Sequence, residues 1–124
     1  MNIIETNKAP AAIGPYSQAI VSAGLVYTSG QIPIDPASGS IEAADIEGQA
    51  RQAIRNLAAV LSAAGSGLDK VVKTTCFLAD MGDFAAFNAV YAKYFTGDCP
   101  ARAAFAVKEL PKKALVEIEM IAAK

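Results

Sequence analysis

The alternation of apolar and polar positions divides the chain into eight elements. "NIIET" at 2–6 is short and β-branched, and predicts a strand. "SQAIVSAGLVYTSG" at 17–30 predicts two strands broken at Ala23-Gly24, a hairpin-type break. "QIPIDPASGS" carries Pro33, Pro36 and Gly39 and predicts a loop. Ile46, Ala50, Ala53, Leu57, Leu61 and Ala64 then recur at helical spacing, with Asp45 as the candidate cap and Gly65 as the stop. "DKVVKTTCFLAD" is rich in β-branched residues and predicts a strand. A second helix starts near Asp83, has Phe84, Phe87, Tyr91 and Phe95 on one face, and closes at Thr96-Gly97. "ARAAFAVKEL" and "ALVEIEMIA" predict two strands around a turn at Pro111. The order β-β-β-α-β-α-β-β predicts an α+β fold, a sheet with both helices packed on one face.

Length adds one expectation, a single domain over residues 1–124 with a core of its own. Apolar residues make up 53% of the chain, yet no segment approaches the roughly 20 apolar residues of a membrane span. A small domain has much surface for its volume, so part of that apolar surface is expected to meet another chain. The N-terminal stretch lacks the charged and apolar regions of a secretory signal. Cys76 and Cys99 follow no pairing pattern, and free thiols in a reducing cytoplasm are expected. Net charge is −1 and no stretch concentrates Lys or Arg, with only Lys112-Lys113 adjacent in a predicted turn. That charge pattern argues against nucleic-acid and anionic-membrane partners.

Histidine is absent. Ser-His and Cys-His nucleophile pairs, and histidine-based RNA cleavage, are therefore excluded within the chain. Two cysteines and scattered carboxylates give no zinc spacing, so no metal is expected. No GxGxxG or Walker pattern points to a nucleotide cofactor. Acid–base chemistry falls to Asp, Glu, Lys, Tyr or Cys.

Two places invite such chemistry. In "CPARAAFAV" at 99–107, Arg102 opens an apolar strand. Its planar, permanently charged guanidinium suits a substrate carboxylate, and equally a structural ion pair. In "LVEIEMIA", Glu117 and Glu119 stand two residues apart on one strand face, roughly 6.6 Å apart. Leu115 and Ile121 share that face and are expected to draw it toward burial, but periodicity does not choose between the two glutamates.

These residues carry a resemblance. "PARAAFAVKELPKKALVEI" at 100–118 resembles the signature of the reactive-intermediate imine/enamine deaminase family, also labelled translation-inhibitor or endoribonuclease L-PSP proteins. "AAIGPYSQAI", "TSGQIP" and "DPASG" resemble that family's N-terminal half, and "QARQAIRNL" and "FAAFNAVYAKYF" its two helices. The resemblance implies a chorismate-mutase-like mixed sheet and a homotrimer with clefts between subunits. It implies Glu117 as the water-handling carboxylate and Arg102 as the residue that binds substrate carboxylate. Tyr16, Ser29, Gly30 and Asn88 fall on positions that line the family's cleft. Many relatives carry serine and cysteine where this chain has Ala103 and Ala104, so only the backbone N–H of Ala104 could serve a carboxylate. The implied activity is cofactor-free hydrolysis of 2-enamino and 2-imino acids to 2-oxo acids and ammonia. Two rival readings are an RNA-cleaving translation inhibitor and a non-catalytic trimer that binds small acids or acts as a holdase.

Overall fold

The computed structural model describes residues 1–124. Six strands form one sheet: β1 (Asn2–Ile4), β2 (Ala19–Ser22), β3 (Leu25–Thr28), β6 (Val71–Leu78), β7 (Ala101–Ala106) and β8 (Val116–Ala123). Their spatial order is β1-β2-β3-β8-β6-β7. Every neighbouring pair is antiparallel except β6 and β7. That parallel pair needs a crossover, which α2 (Phe84–Tyr94) supplies. The longer helix, α1 (Ile46–Ala63), leads from the hairpin side back to β6.

The helices form where the apolar spacing placed them. Asp45 caps α1, its Oδ1 accepting the Gly48 N–H at 2.8 Å. Ile46, Ala50, Ala53, Leu57 and Leu61 are buried on one helix face, and Gly65 (φ 79°) turns the chain away. The β2–β3 hairpin pairs Ser22 with Leu25, and both residues of its tight turn, Ala23 and Gly24, have positive φ. A core of 23 buried residues joins α1 and α2 to one face of the sheet, on which Val116, Ile118, Met120 and Ala122 of β8 lie.

Two expectations need correction, and one open point is resolved. Residues 31–40 do not form a plain loop: β4 (Ile34–Asp35) and β5 (Ser40–Ile41) pair as a short ribbon around the Pro36–Gly39 turn. The strand at 101 ends at Ala106, so Val107–Leu110 is a connection. On β8, the face shared by Leu115, Glu117, Glu119 and Ile121 is not the core face. The helices cover the wholly apolar set instead, which leaves the glutamate face half-buried on the sheet's open side.

That open side is rich in apolar groups. Ile3 is 64% exposed, Phe105 44% and Tyr27 39%. Phe77 and Phe105 meet edge to face there, with ring centroids 5.5 Å apart. No helix is long and apolar enough to cross a membrane.

Candidate functional site

Glu117 lies at the start of β8, opposite Phe77 of β6. The chain after β3 approaches it closely, because Gln31 bridges to Ile118 by hydrogen bonds in both directions, at 2.8 and 3.2 Å. This lays Gly30 beneath the Glu117 carboxylate. A Cβ at position 30 would collide with Oε2, so the contact requires glycine.

Around this contact opens a groove of about 580 Å³, lined by Tyr16, Ser29, Gly30, Ile32, Lys112 and Glu117 among others. Buried amides fasten parts of its walls and the chain beside them. Gln18 accepts the Thr6 N–H at 2.7 Å and donates to the Pro10 carbonyl at 2.7 Å. Asn56 donates to the Ile34 carbonyl at 2.9 Å, and Gln49 accepts the Leu115 N–H at 2.8 Å. The Ser29 hydroxyl donates to the Ser17 carbonyl at 2.6 Å, tying the Tyr16 loop to the end of β3. Tyr16 itself is exposed at the groove.

Burial, and then the neighbouring Glu119 charge, push the Glu117 carboxyl above its usual range. A half-buried carboxylate of raised basicity, open to a groove, can hold a water and take its proton. Lys112 reaches the same groove from a turn in which both Lys112 and Lys113 have left-handed φ, 55° and 56°. Adjacent non-glycine residues rarely adopt that conformation.

Arg102 lies elsewhere. It pairs in register with Thr74 of β6, whose buried hydroxyl is 2.8 Å from the Tyr91 hydroxyl of α2. Arg102 is therefore on the helix side of the sheet. Its Nη1 donates to Asn88 Oδ1 at 2.7 Å, so its partner is a neutral amide rather than a carboxylate. The guanidinium carbon stands 4.8 Å from the Tyr91 ring centroid and 5.4 Å from that of Phe84. The side chain is solvent-exposed and can still donate to an anion. Ala104 follows on the same side of β7, level with Cys76. Val107 N–H donates to the Leu78 carbonyl, so strand alternation turns the N–H groups of Arg102 and Ala104 away from β6, toward the sheet's open edge. Burial pushes the Cys76 thiol up to about 11, partly offset by Thr74 and Arg102, which makes it a packing group rather than a nucleophile.

The residues singled out from the sequence thus fall into two groups. Tyr16, Ser29, Gly30 and Glu117 share the groove, while Asn88, Arg102 and Ala104 share the α2 side. Arg102 is two strands across from Glu117 and on the opposite sheet face, with Cα atoms roughly 14 Å apart at ~4.8 Å per strand and ~3.3 Å per residue. One chain does not bring them together. The amide fasteners Gln18, Gln49 and Asn56 escaped the sequence reading, since isolated amides look like surface residues. The aromatic shelf under Arg102 was visible only as a helix stripe.

Comparison with known proteins adds to this geometry. The sequence model of the family described as Endoribonuclease L-PSP matches residues 6–124. The mouse (Mus musculus) protein named 2-iminobutanoate/2-iminopropanoate deaminase is 51% identical over 120 residues, covering 97% of this chain and 89% of its own. The crystal structure of a protein of unknown function of the conserved Rid family, YyfA from Yersinia pestis, superposes with a TM-score of 0.97 at 52% identity, covering 99% of this chain and 98% of that one. TdcF of E. coli, solved with bound serine, gives 0.95 at 42% identity, covering 100% and 99%.

Proposed function

Since this chain belongs to the endoribonuclease L-PSP family, the Rid proteins, we propose that it hydrolyses 2-imino acids, formed from 2-enamino acids, to 2-oxo acids and ammonia. The observation that carries the reading is the pair of half-sites: an exposed arginine free to bind an anion, and a groove carboxylate of raised basicity. The name of the mouse relative and the serine bound to the E. coli one point to the same substrate class, small acids with nitrogen at C2.

Arg102 grips the substrate carboxylate with its planar fork, helped by the outward N–H of Ala104. Glu117 takes a proton from water as the water oxygen bonds to C2, and the C=N electron pair passes to nitrogen. The protonated Glu117 then returns its proton to that nitrogen, giving an amino alcohol at C2; as the C–N bond breaks, the C2 hydroxyl passes its proton to the departing nitrogen through Glu117, its oxygen closes the 2-oxo carbonyl, and ammonia leaves. Because imines already hydrolyse in water, fixing the carbon and activating the water suffices. No cofactor is required by this sequence of steps.

The half-sites complete each other between copies of the chain. We assign three copies, three times 12.8 kDa, meeting through the apolar open face of the sheet. The unit that assembles is the single 1–124 domain, and its free thiols suit the cytoplasm. The near-neutral charge and the missing histidine weigh against RNA as substrate.

The test is ammonia release from enamines generated in place by a serine or threonine dehydratase. Purified protein should accelerate release over buffer, and no acceleration with either enamine overturns the reading. The acid limb of the rate should reflect Glu117. Its raised basicity places the loss of activity above the ordinary glutamate range as pH falls. Glu119→Gln removes a neighbouring negative charge, so the limb should move to lower pH with the plateau rate retained. A limb that stays in place removes Glu119 as a cause.

A further inference from the structure

The guanidinium of Arg102 does not stand free. Phe84, Asn88 and Tyr91 occur at spacings of four and three along α2, so they share one helix face. Asn88 accepts from Nη1, while the two rings lie within cation–π reach of the guanidinium carbon. The platform is fixed from behind. The Tyr91 hydroxyl is bonded to the buried Thr74, and its ring packs against Phe87 and Phe95 at centroid distances of 5.7 and 4.6 Å.

We propose that Phe84 and Tyr91, with Asn88, are positioning residues that set the plane of the Arg102 guanidinium, so that its unused N–H edge faces the bound carboxylate. The inference rests on the carboxylate-binding role given to Arg102 above. An arginine on an edge strand samples many rotamers, and a two-point grip needs one plane. A ring face supplies a plane without consuming any N–H donor, and Asn88 engages one terminal nitrogen. A lysine could not use this shelf for orientation, because an ammonium has no plane to align.

The test reads carboxylate binding apart from turnover. Titration calorimetry with 2-oxobutanoate compares wild type, Arg102→Ala, Phe84→Leu, Tyr91→Phe and the Phe84→Leu/Arg102→Ala double variant. Phe84→Leu keeps an apolar side chain of similar size and removes the ring face, so Kd should rise about 3- to 10-fold. Tyr91→Phe keeps the ring and should bind within about twofold of wild type, although the Thr74 bond is lost. In the Arg102→Ala background, Phe84→Leu should change affinity no further, because its effect passes through the guanidinium. A further loss in that background marks Phe84 as packing alone and overturns the proposal. Weak binding in Arg102→Ala with unchanged binding in Phe84→Leu overturns the shelf and leaves the proposed deamination standing. Equal binding by wild type and Arg102→Ala overturns both.

Discussion

Arg102→Ala is expected to lower ammonia release by at least about 100-fold, with assembly mass and melting temperature unchanged. The loss follows from the chemistry of the grip. A charge-assisted, two-point contact contributes about 1.5–3 kcal/mol, and misplacing the reacting carbon adds to that loss. The fold has little at stake, because Arg102 is exposed and bonded to an amide that water can satisfy. Arg102→Lys keeps the charge but neither the fork nor the fit to the rings, so it should recover less than about a tenth of wild-type activity. A fully active lysine variant would mean that charge alone suffices, and the planar grip would be wrong.

Glu117→Gln should lower the rate by about 100- to 1,000-fold, within the range in which a positioned proton acceptor acts. Binding of 2-oxobutanoate should persist, because Arg102 is untouched. Stability should move the other way. The folded protein holds the Glu117 carboxyl above its usual range, so its contribution is fully present below the unfolded value and is lost as pH rises through the folded one. At neutral pH the charged carboxylate is a liability, and the neutral glutamine should melt no lower than wild type. That advantage should vanish in acid. A variant that melts lower at neutral pH would contradict the direction of the shift.

The same two variants test the division of the site. Neither Arg102→Ala nor Glu117→Gln alone has an intact pair. Co-refolded in equal amounts, they form assemblies in which about a quarter of the intersubunit sites combine a native Arg102 with a native Glu117. Activity should return to about that fraction of wild type. If both residues acted within one chain, no mixture would regain activity.

What could be read from the sequence was local. The Asp45 cap, the α1 stripe and the Ala23-Gly24 turn each depend on residues within a few positions of one another, and all three are in place. The family resemblance brought Arg102 and Glu117 forward as a pair. Their position on opposite faces depends on β8 entering between β3 and β6, a long-range event with no local signal. Leu115 and Ile121 alone do not tell which face of β8 the helices cover. Set against Val116, Ile118, Met120 and Ala122, their face is the more polar of the two, and the helices cover the other. Gly30 showed no turn signature, because its need is for space beside Glu117 rather than for an unusual backbone angle.

The buried amides have a thermodynamic consequence. Loops that wall a groove ordinarily lose backbone freedom when a ligand arrives, at a cost of about 1–2 kcal/mol for each residue newly fixed. Here the buried amides of Gln18 and Asn56 hold the backbone at Pro10 and Ile34, both lining the groove, and those of Gln18 and Gln49 hold the adjoining chain at Thr6 and Leu115. That entropy is given up once, when the chain folds. A substrate of only a few atoms, with little binding energy to offer, then enters a groove whose walls are already set.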